Sequence, residues 1–194
     1  MRPVLLLSAL WLAAPIVAGG SIHIIAIKYN VMRALAAFPL DGGLRVRGRR
    51  VFGDNKSLRG AVLIVCFTTL CAMGQAWLVH RFAWAAALTL PGTDRVPPAA
   101  WGALIGAGYV LGELPNSFIK RQLDIAPGQA GRGWTRPVFW VLDQVDSLIG
   151  VWALLWFVWT PPGPVLLALI GVTLTVHPLA ALGMVALGLK DRVG

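Results

Sequence analysis

The stretch Ala99-Ala-Trp-Gly-Ala-Leu-Ile-Gly-Ala-Gly-Tyr-Val-Leu-Gly-Glu-Leu-Pro-Asn-Ser-Phe-Ile119, running on into Lys120-Arg121, decides the fold. It is long enough to cross a bilayer and mostly apolar, yet its second half carries Glu113, Asn116, Ser117, Lys120 and Arg121. A charge placed in lipid costs roughly 2.5–3.5 kcal/mol on insertion scales and more in simulations, so it is rare there without a function. A second stretch of the same kind follows, Trp140-Val-Leu-Asp-Gln-Val-Asp-Ser147. Carboxylates, an amide, hydroxyls and two cations inside apolar segments predict an enzyme embedded in a membrane.

The rest of the chain agrees. Of 194 residues, 57% are hydrophobic and only 13% charged, about half the charged share of an average soluble domain. Five spans read out, at about Val4–Ile27, Gly60–Val79, Ala99–Ile119, Val138–Trp159 and Pro164–Leu189. Each has roughly the 20 residues that a bilayer core requires. The expected fold is therefore an all-α polytopic membrane protein, one domain over residues 1–194. Phe82–Leu90 is too short to span and is expected at the interface. Met1–Gly20 has the outline of a signal peptide, but its apolar run continues to Ile27, beyond the usual length of a cleaved signal. A retained first helix is expected, kinked at Pro15.

Charge gives the orientation. The segment 28–59 holds Lys28, Arg33, Arg45, Arg47, Arg49, Arg50, Lys56 and Arg59; the segment 120–137 holds Lys120, Arg121, Arg132 and Arg136; Lys190 and Arg192 close the chain. The opposite side has Arg2, Arg81 and Arg95. Cytoplasmic segments carry the excess of Lys and Arg, so the N-terminus is expected outside and the C-terminus in the cytoplasm of a cell membrane. The 17 basic residues against 8 acidic ones answer to topology and anionic lipid. No basic-aromatic nucleic-acid module appears, and no nucleic acid partner is expected. Cys66 and Cys71 read as small buried hydrophobes.

Three groups carry candidate chemistry. Asp143 and Asp146 are three apart, so a helix projects both from one face. Two adjacent carboxylates repel unless a cation lies between them; magnesium favours one or two carboxylates plus substrate phosphates. Lys120 and Arg121 are candidate phosphate ligands, as a point charge and a bidentate fork, with Asn116 and Ser117 offering hydrogen bonds. Pro115 is expected to distort the helix there. Asp41, Gly42 and Gly43, then Gly53, Asn55, Lys56, Ser57 and Arg59, form a glycine-rich basic segment whose amides can cradle an anion. It is not a P-loop. The spacing of His23, His80 and His177 suggests no metal site. Glu113 stands as a further metal-site carboxylate or as the partner of a nearby cation.

These motifs resemble a known family. Ser117-Phe-Ile-Lys-Arg121 followed by Asp143-Gln-Val-Asp146 is similar to the signature of the membrane cytidylyltransferases that make CDP-diacylglycerol. Gln144 stands where that signature has Arg. The order Asp41-Gly-Gly43, Gly53-Asp-Asn-Lys-Ser-Leu-Arg-Gly60, Glu113–Arg121 and Asp143–Ser147 resembles more closely the CDP-archaeol synthase family, whose members are short and have five spans. The resemblance implies a reaction of CTP with a lipid phosphate, giving a CDP-lipid and pyrophosphate with magnesium as cofactor. It implies metal on Asp143 and Asp146. It also implies CTP phosphates on Lys120, Arg121, Lys56 and Arg59, oriented by Asn116 and Ser117. Two other readings of the same residues are a small transporter relaying ions through Glu113 and a non-catalytic lipid-binding protein.

Overall fold

The computed structural model describes residues 3–129 and 131–188. Arg2, Lys190, Arg192 and Leu189, the expected end of the fifth span, lie outside them. Five long helices carry the molecule: α1 (Pro3–Lys28), α3 (Leu58–Arg81), α5 (Pro98–Gln122), α6 (Thr135–Leu155) and α7 (Gly163–Ala186). Between them lie the short helices α2 (Arg33–Ala36) and α4 (Ala83–Ala86) and an antiparallel hairpin, β1 (Arg45–Val46) with β2 (Arg49–Arg50).

Among the described residues, four helices have the length and hydropathy of membrane spans: Leu5–Lys28 within α1, then α3, α6 and α7. α5 is as long, but its glycines, Glu113, Pro115 and polar last turns dilute its hydropathy. The helices follow one another in space as a ring, α1, α3, α5, α6, α7 and back to α1, with the thinnest seam between α6 and α7. Leu70, Trp77, Leu111, Ile149 and Leu167 are exposed on the outside, which suits lipid rather than water.

Glycine sets the close approaches. A Cβ on Gly102 or Gly106 would lie 2.5 Å from the Thr69 Cα and 2.7 Å from the Val65 Cα of α3. On another face of α5, Gly108 would meet the Val151 Cα of α6 at 2.6 Å, and Gly112 and Gly150 abut one another's backbones. Without a hydrophobic drive between helices in lipid, such small-residue contacts are what bring helices together. α5 is thereby locked between α3 and α6, which fixes the polar end of α5 against that of α6.

Two expectations change in detail, the end of α6 and the burial of the cysteines. α6 ends at Leu155, short of Trp159, because the chain turns there ahead of Pro161 and Pro162; the Trp159 indole caps the turn by donating to the Pro91 carbonyl at 3.1 Å. α1 runs through Pro15 and α5 through Pro115 as continuous helices. A proline in a membrane helix is tolerated where neighbours re-satisfy the freed backbone, and Pro15 is fully buried against them. Cys66 is exposed and Cys71 only half-buried, because an apolar helix in lipid has no reason to turn them inward. Phe82–Leu90, expected at the interface, contains the single helical turn α4.

Candidate active site

The polar residues of α5 recur at intervals of three and four: 113, 116, 117, 120 and 121. That spacing places them along one side of the helix. The α6 pair Asp143 and Asp146 stands opposite. The Asn116 amide nitrogen donates to Asp143 Oδ1 and to Asp146 Oδ2, both at 2.7 Å. Lys120 Nζ reaches both oxygens of Asp143 at 2.6 Å and lies 5.7 Å from the centre of the Phe139 ring. The Ser147 backbone N–H donates to Asp146 Oδ1 at 2.6 Å. Asn116, Lys120, Asp146 and Ser147 are all buried. Desolvating one such charge is tolerable only with partners close at hand, and the cluster supplies them.

The segment between α1 and α3 closes over this end of the bundle. Its ends are zipped: the Leu40 N–H donates to the Lys56 carbonyl at 2.7 Å and the Leu58 N–H to the Phe38 carbonyl at 2.8 Å, flanking the Pro39–Ser57 bridge. Inside, Asp41 is the anchor. Its carboxylate accepts from the backbone N–H of Gly43 at 3.0 Å, of Phe52 at 2.9 Å and of Gly53 at 3.1 Å, and from Arg50 Nη2 at 2.6 Å and Nε at 3.3 Å. Burial works against the charge, but the Arg50 guanidinium and the three amides outweigh it and hold the carboxyl well below its ordinary value of 3.8. Arg50 also donates to Asp54 at 2.6 Å, while Arg49 straps the hairpin to the Gln122 carbonyl and the Asp124 carboxylate at the end of α5.

Two further contacts join this segment to α5. Lys56 forms an ion pair with Glu113, which also receives a hydrogen bond from the Tyr109 hydroxyl one turn earlier on α5. Arg121 is buried beside Gly53: a Cβ on that glycine, whose φ is +93°, would lie 3.4 Å from Arg121 Nη1. Arg121 Nε and Nη1 have no hydrogen-bond partner among the described residues. Such a group costs stability unless an acceptor arrives. Arg121 also lines a cleft of about 260 Å³ with Arg45, Gly48, Arg49 and Arg50.

The structure thus brings together most of the residues singled out by sequence. Glu113, Asn116, Lys120, Asp143 and Asp146 meet directly or through Lys56, and Gly53 meets Arg121. Asp41 faces inward, saturated by its own loop, with Gly42 and Gly43 at positive φ turning the chain around it. Ser57 is buried at the zip, Asn55 is exposed, and Ser117 is half-buried on α5. Arg59 Nη1 reaches the Val31 carbonyl at 3.3 Å, away from the carboxylates. The His23 imidazole lies against Gly60. Sequence reasoning missed Arg49 and Arg50, which look like orientation charges, and Tyr109. The available signals were an Asp in a glycine-rich turn, which needs a cation of its own, and the four-residue step from Tyr109 to Glu113.

The donors fit a divalent cation. Among the described residues no three His, Cys, Asp or Glu side chains cluster, so a protein-only cage is not built. Asp143 and Asp146 already share one point, the Asn116 amide nitrogen, and Asn116 Oδ1 is buried without a hydrogen-bond partner among the described residues. A half-turn of that amide offers a third oxygen to the same point. Two carboxylates and an amide oxygen, completed by phosphates and water, are the ligands that magnesium accepts.

The sequence of this chain matches the family model described as CDP-archaeol synthase (CarS-like) over residues 4–193. Relatives of that name include a Halobacterium salinarum protein, 33% identical over 160 residues, 79% of this chain and 82% of the relative. One from Thermofilum pendens is 31% identical over 186 residues, 95% of this chain and 78% of the relative. A solved structure, described as an intramembrane enzyme for archaeal membrane lipid biosynthesis, superposes with a TM-score of 0.60 at 21% identity, covering 90% of this chain and 92% of that one. It supports the membrane-embedded fold. The chain belongs to the CDP-archaeol synthase family.

Proposed function

We propose that this protein is a CTP-dependent cytidylyltransferase that converts a membrane lipid phosphate to a CDP-lipid and releases pyrophosphate. The observation that carries the reading is the point shared by Asp143, Asp146 and Asn116, with Lys120 beside it and Arg121 next along α5, its Nε and Nη1 without a hydrogen-bond partner among the described residues. Such a site has carboxylates for a divalent cation and cations for a triphosphate. Transfer between phosphates needs in-line positioning and charge neutralisation more than a protein nucleophile. An oxygen of the lipid phosphate attacks the α-phosphorus of CTP, and the bond to the β-phosphate breaks. The lipid phosphate is already ionised near pH 7, so no protein base is needed.

Asp143, Asp146 and the Asn116 oxygen would hold magnesium, which would supply positive charge to offset that of the phosphates. Lys120 and Lys56 supply mobile charges to the phosphates. Arg121 supplies a fixed one, and its cleft with Arg45, Arg49 and Arg50 extends the cationic surface for the departing pyrophosphate. Asp41 and Arg50 shape the loop, so Gly53 and the neighbouring backbone can approach the nucleotide. Glu113 holds Lys56 until the phosphates arrive.

The orientation belongs to the same reading. Five spans, α5 included, with the N-terminus outside put this polar end at the cytoplasmic face of the cell membrane, where CTP is. The gathering of polar groups at one end, rather than along a through-path, disfavours a transporter. The relatives are named for CDP-archaeol, so archaeol phosphate is the first acceptor to try and a diacyl phosphate the second. Purified protein with labelled CTP, magnesium and both acceptors should form labelled CDP-lipid. Asp143→Asn and Asp146→Asn should each fall at least about 100-fold, as when a transition-state electrostatic contact is removed. Full activity in both variants sinks the assignment.

A further inference from the structure

The tryptophans are unevenly shared between the two ends of the bundle. Of nine in the chain, only Trp134 and Trp140 lie at the end that carries the carboxylates. The rest gather toward the opposite end, where ring contacts join Trp11 to Trp84, Trp101 to Trp159 and Trp152 to Trp156. Indoles favour the headgroup level of a membrane, with the ring against the chains and the N–H toward water. At this end the loop between α4 and α5 and the loop between α6 and α7 enclose a cleft of about 420 Å³, lined by Gly92, Arg95, Trp156, Phe157, Trp159 and Thr160 among others. The Trp159 indole ties the two loops through the Pro91 carbonyl. Gly92 makes the room: its φ is +86°, and a Cβ there would lie 3.3 Å from Trp159 Cδ1 and 3.7 Å from Arg95 Nε. The lining holds one cation and no acidic side chain. Among the described residues Arg95 forms no ion pair, not even with adjacent Asp94.

We infer that this cleft holds the headgroup of an anionic phospholipid at the membrane surface opposite the carboxylates, and that the bound lipid ties the two loops together. Arg95 takes the phosphate, since a guanidinium fork matches two phosphate oxygens. Trp156 and Phe157, 58% and 86% exposed, lie against the glycerol and the upper acyl chains. A soluble anion would find the same guanidinium but would leave those rings in water. A lipid covers both, because its charge and its apolar surface are joined at the depth where the helices end. A zwitterionic headgroup carries its own ammonium group to the phosphate, and the lining has no carboxylate to receive it. The site is separate from the reaction. It lies at the other end of α5 and α6 from Asp143, Asp146 and Lys120, so the lipid bound here is a structural ligand and not the acceptor.

The test uses the full chain in nanodiscs of phosphatidylcholine, with and without added phosphatidylglycerol of the same acyl chains, and reads hydrogen exchange by mass spectrometry. In wild type, phosphatidylglycerol should slow exchange across residues 92–96 and 156–160 by about threefold or more. Arg95→Gln should abolish the slowing in both loops while its melting temperature in detergent stays that of wild type, since Arg95 is exposed and forms no ion pair. Arg95→Lys, which keeps the charge without the fork, should retain part of it. Phe157→Ala should weaken the slowing at 92–96 as well as in its own loop, because one lipid bridges the two; this variant leaves the cation in place and so checks the site independently of position 95. Loops that exchange equally in both lipids in wild type overturn the site, and so does a slowing that survives Arg95→Gln. Soluble glycerol phosphate added to phosphatidylcholine discs should change nothing at these loops. Slowing by it would make the cleft a site for a free phosphate and overturn the lipid.

Discussion

At the scale of single residues, Asp41 and Asp143 show how one side chain type takes opposite duties. Asp143 reaches across to another helix, where it meets the Lys120 ammonium group and the Asn116 amide; Asp41 is closed within its own loop by three amides and Arg50. Asp41→Asn should therefore loosen the loop and leave the bundle folded, since an amide cannot accept from all of those donors and adds donors of its own. The expected outcome is at least about tenfold weaker CTP binding, with hydrogen exchange faster across residues 42–56 and unchanged in α3 and α5. The sign of the pH dependence follows from the depressed carboxyl. Its contribution is complete above 3.8, the ordinary value, and is lost as pH falls through the lower folded value. Pepsin, active in that range, should spare residues 42–56 in wild type at pH 4 and cut there increasingly as the solution is acidified further. Asp41→Asn should be cut at pH 4 already. The α5–α6 cluster was legible because each polar residue stands out singly against an apolar segment. The tie from Asp41 to Arg50 was not, because positive φ at Gly42, Gly43, Arg47 and Gly48 folds the eight intervening residues, and composition shows only one more arginine in a basic loop.

Among elements, α5 is the one that everything else positions. Its glycines at 102 and 106 admit α3, and those at 108 and 112 admit α6, so its polar side has a fixed register against Asp143 and Asp146. Gly150→Ala should push α6 from α5, because the added methyl would enter the backbone at Gly108 and Gly112. Overpacking of this kind costs about 1–3 kcal/mol, or a fall in melting temperature of about 2–4 °C per kcal/mol for a chain of this size. Gly74→Ala on α3 is the control: nothing lies within 4 Å of the added Cβ, and alanine is the better helix former by about 1 kcal/mol, so its melting temperature should hold or rise. Differential scanning fluorimetry in one detergent compares the two, and equal shifts would argue against glycine-set spacing. The helices themselves were readable from apolar length, to within a few residues. Their faces were not. α1 and α7 are apolar all round, and the exposure of Cys66 on α3 follows from neighbours that no run of hydrophobic residues names.

Over the whole molecule, the charge asymmetry and the site make one prediction. Of the cations in the described residues, twelve lie on the side of the 28–59 and 120–137 segments, and Arg81 and Arg95 lie on the other. Several of the twelve are taken up in the interior, since Lys56, Lys120 and Arg121 are buried or paired in the cluster and Arg49 and Arg50 brace the loop. Exposed Lys28, Arg33, Arg45, Arg47, Arg132 and Arg136 remain, six against two, so the orientation does not depend on counting the site's cations. Anionic lipid at the cytoplasmic leaflet attracts such charges by about 1 kcal/mol each. Cys66→Ala with Cys71→Ala gives a background without thiols, onto which Leu44→Cys and Asp94→Cys place one thiol at each end of the bundle, both at exposed positions. A membrane-impermeant maleimide applied to intact cells should label Asp94→Cys and spare Leu44→Cys until the membrane is opened. The reverse pattern would put the carboxylates outside, away from cytoplasmic CTP, and would overturn the proposed orientation; labelling of both in intact cells would mean that α3, which lies between the two positions, does not span.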